Sequence, residues 1–283
     1  MKIGIVGPAD RAVAWEQHLR PHHSVTEVVI AAHLKDIGSV DGCLIMDDTD
    51  RQLEIVLEAL QKGCHAFLIS RLPTDTAKVE KAYHAAEESD IVLQFSHWPT
   101  FAPASQWMYS KIRKPNFIQV IREISHTHFM EMKYDLEYYW IDELAFCLKW
   151  IDGIVHHIDI KSADIGGDDP SSIQIFLRFD SGATSGIFVT TCAAENRHKR
   201  VAADHTFLVD CDVLQQHVRL GEANESGHLF FKKESFDPST SAEIAVTQFL
   251  KAIQMNKPTL FSGYDALRVC KVVDKIRNRI ARV

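Results

Sequence analysis

Lys2-Ile3-Gly4-Ile5-Val6-Gly7-Pro8-Ala9-Asp10-Arg11-Ala12 opens the chain with a continuous apolar run that ends on glycine and passes into amphipathic sequence. A strand covered on both faces is apolar without alternation, so this stretch reads as the first βα unit of a parallel sheet. The same grammar repeats outward. Val28 to Ala31, Cys43 to Met46, His65 to Ile69 and Ile91 to Phe95 are further buried-strand runs. Between them lie helical patterns at 10–19, at Leu53, Val56, Leu57 and Leu60, and at 76–88. Strands alternating with helices predict a doubly wound α/β domain over residues 1–115.

After His97-Trp98-Pro99 the pattern changes. Helices near 102–113 and 138–151 flank a strand at Phe117 to Ile124, and Ile173 to Phe179 and Thr184 to Thr191 alternate around Asp180-Ser181-Gly182, a hairpin signal. Residues 205–220 and 228–233 continue it, so 116–283 reads as an α+β domain with a mainly antiparallel sheet. Two closing helices, 241–255 and 263–281, each gather their apolar residues on one face and are expected to pack into this second domain.

The 283 residues are 46% hydrophobic and 24% charged, enough to bury a core. A formal charge of −7 repels phosphate backbones and anionic lipid, which excludes nucleic acid and membrane surfaces as default partners. The opening apolar run is short for a signal segment, and no stretch approaches the roughly 20 apolar residues of a membrane span. A cytoplasmic location is expected. The six cysteines form no C-x-x-C pair and read as buried thiols.

A doubly wound sheet of the Rossmann type binds a dinucleotide at the carboxyl ends of its strands, with pyrophosphate over the first βα turn. Gly7-Pro8-Ala9-Asp10-Arg11-Ala12 keeps the first glycine and the last small residue of G-x-G-x-x-G/A, but Ala9 stands at the central glycine. Asp10 brings a negative charge beside the phosphate position, and Arg11 offsets it if its side chain turns inward. The second strand ends in Ala31-Ala32-His33 with Lys35 beyond, which declares neither NAD nor NADP. Asp47, Asp48 and Asp50 add carboxylates to the same crevice, so a pyrophosphate there needs compensating charge.

The order of parts, together with Val92-Leu93-Gln94-Phe95-Ser96-His97 and the close from Ala242 through Lys257-Pro258 to Ser262-Gly263-Tyr264-Asp265-Ala266-Leu267, resembles the glucose-fructose oxidoreductase and inositol dehydrogenase (Gfo/Idh/MocA) family over essentially the whole chain. The resemblance implies an NAD- or NADP-dependent oxidoreductase of sugars, polyols or related small polar metabolites. It also implies a homo-oligomer, dimer or tetramer, joined through the open face of the second sheet. The family's catalytic Lys falls on Arg71, which stays protonated near neutral pH and can orient or stabilise an oxyanion. Its catalytic His falls on Glu143, a neighbouring Asp on Phe146, and two further cleft residues on Gln52 and Thr100. The resemblance places Gly7, Pro8, Ala9, Asp10, Arg11, Ala32, His33, Asp47, Arg71 and His97 around the cofactor.

Two readings stay open. In one, chemistry is rebuilt with Glu143 or Asp142 as proton acceptor and Arg71 as electrophile, since burial can raise a carboxyl toward neutral pH. In the other, the fold persists as a catalytically inactive ligand-binding or regulatory subunit. Among smaller signals, His126-Thr127-His128 is expected on a strand, with both imidazoles on one face. Neither this pair nor His156-His157-Ile158-Asp159 supplies the three or four donors of a metal site, so no metal is expected. Asn196-Arg197-His198-Lys199-Arg200, the one basic cluster, reads as a solvated loop or a contact for an anionic substrate.

Overall fold

The computed structural model describes residues 1–131, 135–165 and 170–280. Two compact units emerge, residues 1–101 with 240–271 and residues 102–239 with 272–283.

In the first unit β1 (Lys2–Val6), α1 (Ala9–Leu19), β2 (Glu27–Ala31), β3 (Gly42–Ile45), α2 (Gln52–Gln61), β4 (His65–Leu68), α3 (Thr76–Glu88) and β5 (Leu93–Phe95) follow one another as expected, and a short α4 (Trp98–Phe101), which the sequence pattern does not announce, comes after them. The five strands form a parallel sheet in the order β2-β1-β3-β4-β5, with β1 in register with β2 on one side and β3 on the other. That order reverses direction between β1 and β3, the position at which an open α/β sheet leaves a crevice. Ile3, Ile5, Leu44, Ile45 and Phe67 are fully enclosed, which is why these strands read as unbroken apolar runs.

The second unit holds α5 (Pro103–Lys111), β6 (Phe117–Ser125), α6 (His126–Glu131), α7 (Leu136–Trp150), β7 (Val155–Ala163), β8 (Ser172–Phe179), β9 (Thr184–Ala193), β10 (Arg197–Ala203), β11 (Phe207–Asp212), β12 (His217–Ala223) and β13 (Leu229–Ser235). Its eight-stranded sheet runs β13-β12-β11-β10-β6-β9-β8-β7, and every pairing but β6 with β9 is antiparallel. The mixed α/β fold is thus the expected one. Gly182 takes φ +84° in the β8–β9 turn, where a side chain would be strained.

The closing helices are α8 (Ser241–Met255) and α9 (Gly263–Ile280). Contrary to the expectation that both pack into the second domain, residues 240–271 belong with the parallel sheet. The reason lies in the apolar face of α8: Phe249 packs on Phe67 of β4 at 5.7 Å between ring centroids. Buried Gln94 of β5 donates to the Ala245 carbonyl at 3.0 Å. Residue 281, expected to end the last helix, lies outside the described residues.

A second correction concerns His126 and His128. The expected strand stops at Ser125, and α6 begins at His126. The Ser125 hydroxyl accepts from the His128 amide at 3.3 Å, so a side chain that starts helices ends the strand.

Candidate functional site

The carboxyl ends of β1, β2 and β3 open into a cleft of about 940 Å³, lined by Gly7, Pro8, Ala9 and Arg11 from the first turn, Ala31 to Lys35 after β2, and Met46 to Thr49 after β3. Gly7 has φ +149°, and a Cβ there would meet Met46 Cβ and the Met46 carbonyl at 2.9 Å. Only glycine lets the turn close this tightly against β3. Pro8 precedes α1 with φ −58° and ψ 135°, no side chain caps the helix, and the first intrahelical bond runs from the Ala12 amide to the Pro8 carbonyl at 2.9 Å. The amides of Ala9, Asp10 and Arg11 therefore precede the ladder at the positive end of the helix dipole.

The acidic run is partly compensated within the cleft. Asp48 forms a 2.7 Å ion pair with Arg11, so that guanidinium has turned toward the carboxylates. Asp47 accepts from the Thr49 amide at 2.8 Å and from its hydroxyl, a turn that ties the charge to the loop.

Of the residues expected around a cofactor, Gly7, Pro8, Ala9, Arg11, Ala32, His33 and Asp47 line this one cleft. Asp10 is exposed on α1 and is not among its walls. Arg71 is exposed just past β4. His97 is only 1% exposed, with Nδ1 2.7 Å from the Thr100 hydroxyl and its ring 4.6 Å from that of Phe261, so it packs in the core behind β5. Gln52 accepts from the Ser70 hydroxyl, and the Ser70 amide donates to Ser96 Oγ at 3.1 Å. These polar groups brace the end of β4.

The second unit carries a buried charge cluster centred on Glu143 of α7. Glu143 is fully enclosed, and Arg200 of β10 grips its carboxylate with two nitrogens at 2.9 and 3.0 Å. Arg122 of β6 donates to Oε1 at 3.2 Å, and His198 Nε2 stands 3.0 Å from the same oxygen, off the direction of a hydrogen bond. Arg200 and Arg122 also lie over the rings of Phe146 and Tyr139, at 4.1 and 4.7 Å. Burial opposes ionisation of Glu143, yet Arg200 first, then His198 and Arg122, hold its carboxyl well below the usual range. Burial pushes His198 down to about 4 in spite of the carboxylate, whose charge the two guanidiniums already share.

Asp142, the next residue toward the N-terminus, differs. Its side chain keeps 20% exposure, and Arg122 is 3.9 Å away rather than in contact. Burial pushes its carboxyl up to about 6 against the pull of Arg122. Of the two carboxylates expected as proton acceptor, Glu143 is neutralised and sealed, and Asp142 is the one poised to titrate near neutral pH.

Arg122, Arg200 and His198 are the residues that sequence reasoning missed in these roles. The basic strip is β10, not a solvated loop: His198 and Arg200 share its buried face, while Arg197 and Lys199 point the other way. The period-two spacing was the available signal. Among the described residues no group of three or more His, Cys, Asp or Glu could hold a metal ion, and no helix is long and apolar enough to cross a membrane.

No protein-family model and no curated protein matches the chain. Solved structures do. A UDP-N-acetylglucosamine 3-dehydrogenase from Acidithiobacillus ferrooxidans superposes with a TM-score of 0.84 at 14% identity, over 98% of this chain and 96% of that one. An NAD-binding oxidoreductase from Klebsiella pneumoniae gives 0.82 at 12% identity, covering 100% and 98%. A dehydrogenase from Clostridium difficile gives 0.80 at 12% identity, covering 99% of each chain. The chain has the fold of these dehydrogenases.

Proposed function

We propose that this chain is a Gfo/Idh/MocA-type oxidoreductase that uses NAD or NADP on a small polar metabolite, a sugar, polyol or relative. The observation that carries the reading is the cleft at the carboxyl ends of β1, β2 and β3, faced by the uncapped N-terminus of α1. Its residues fit a dinucleotide: the Gly7 turn keeps the strand end low, the Ala9 to Arg11 amides suit a pyrophosphate, and the Arg11 pair offsets one carboxylate of the rim. Bound there, the cofactor would supply hydride donation or acceptance.

The chain's own residues have separate roles in this reading. Asp142 accepts or returns the substrate hydroxyl proton at its carboxylate, because its carboxyl sits at about 6. Arg122 keeps that carboxylate partly ionised, and Glu143 holds Arg122 and Arg200 in place without exchanging a proton. Arg71, exposed at the end of β4, is a fixed cation able to orient an oxyanion.

The second reading, a ligand-binding or regulatory subunit without turnover, draws on one observation: Glu143, at the family's catalytic His position, is sealed from solvent. A turnover assay with both cofactors over a panel of sugars and polyols separates the two. Turnover that Asp142→Asn lowers by about 10² or more, with cofactor affinity unchanged, supports the enzyme. Cofactor binding with no turnover across the panel selects the silent subunit, and failure to bind either cofactor removes the oxidoreductase reading.

A further inference from the structure

The end of β2 decides what the cleft does with the adenine ribose, and its chemistry is one-sided. Ala31 and Ala32 leave space and offer no side-chain acceptor, so a ribose 2′-hydroxyl finds none of the carboxylate that an NAD site places there. The carboxylates that do line the cleft sit on its other walls. Asp47 is engaged by Thr49 and Asp48 by Arg11, and Glu58 belongs to α2.

Past Ala32 the chain forms a single 3-10 turn, Leu34–Asp36. Leu34 is 7% exposed and anchors the turn in the core, which leaves His33 and Lys35 exposed on either side of it, both on the cleft wall. His33 is extended at φ −131° and ψ 146°, and its carbonyl accepts from the Asp36 amide at 3.1 Å. Lys35 makes no ion pair among the described residues, in a cleft where Arg11 is already committed.

We infer that the cleft selects NADP over NAD, with Lys35 and His33 receiving the 2′-phosphate of the adenine ribose. A phosphate there brings two negative charges to an uncommitted ammonium and an imidazole, and charge-assisted hydrogen bonds are the stronger kind. The bare hydroxyl of NAD gains neither. The inference rests on the cofactor reading proposed above and goes beyond it by naming the form bound and the residues that choose it.

Calorimetric titration of the full chain with NADPH, NADH, adenosine 2′,5′-bisphosphate and 5′-AMP tests it without any substrate. The expected result is NADPH tighter than NADH, and the bisphosphate tighter than 5′-AMP, each by about tenfold or more. Lys35→Ala removes most of that advantage and leaves NADH within about twofold of its original affinity, while Lys35→Arg retains the preference. Equal affinities, or tighter NADH, overturn the selection while leaving the cofactor reading intact. A preference that survives both Lys35→Ala and His33→Ala overturns the assignment to these residues. If neither dinucleotide binds, the cofactor reading itself falls.

Discussion

Glu143 carries its charge where water does not reach, between the guanidiniums of Arg200 and Arg122. Removing one partner of such a cluster leaves the others desolvated and uncompensated, so Glu143→Gln is expected to cost about 3–5 kcal/mol, measured by urea unfolding. A loss under about 1 kcal/mol would show that the cluster is not the anchor described. Two neighbours give this cluster a pH signature. His198 titrates near 4 in the fold and near 6.5 when unfolded, so its stabilising contribution is full above 6.5 and lost as pH falls through 4. Asp142, at about 6 against an ordinary 3.8, contributes most below 3.8 and loses it as pH rises through 6. The two oppose each other between about pH 4 and 6. Asp142→Asn therefore steepens the acid loss of stability there, and His198→Gln flattens it; unfolding midpoints across pH check both, and unchanged curves refute the assignment. At this scale the sequence showed Glu143 and Asp142 side by side but not which was sealed. That depended on Arg122 and His198-x-Arg200 arriving from two distant strands, and a basic strip with no visible partner looks like surface.

Elements were more legible where their signals were local. The unbroken apolar runs of β1, β3 and β4 announced a parallel sheet, and Asp180-Ser181-Gly182 announced the β8–β9 turn. The turn after β1 is the element on which the proposed cofactor site rests, and Gly7 is where it closes against β3. Gly7→Val places a Cβ 2.9 Å from Met46 Cβ and carbonyl at a φ that favours glycine, so the turn must shift. The expected outcome is a loss of NADPH affinity of about tenfold or more by titration. Gly38→Ala, also at positive φ but in open space, serves as control and leaves that affinity unchanged. The strand expected at His126-Thr127-His128, beyond the one ending at Ile124, is instead helical because the Ser125 hydroxyl caps the helix that follows.

For the whole molecule, the change of grammar after His97 predicted two regions, but not that α8 returns to the first sheet. Its amphipathic pattern names no partner sheet; the contact of Phe249 with Phe67 and the hydrogen bond from Gln94 to the Ala245 carbonyl do. The second sheet has its own unfinished surface. Arg122 points from β6 toward α7, so Ile121 points to the opposite face, where it pairs with Phe188 of β9 near the 39% exposed Phe117. We propose that this face is where a second copy docks in the homo-oligomer expected from the sequence. Light scattering is expected to give a dimer or tetramer that Ile121→Glu converts to monomer, and a wild-type monomer would contradict it.

A nicotinamide dinucleotide bound as proposed lies in the cleft between the α1 N-terminus and the end of β2. Hydrogen–deuterium exchange of the intact chain with and without saturating NADPH tests it most directly. Slowed exchange is expected, confined within the first unit to Ala9–Arg11, Ala32–Lys35 and the loop after β3. Protection located elsewhere, or none at millimolar cofactor, would contradict it.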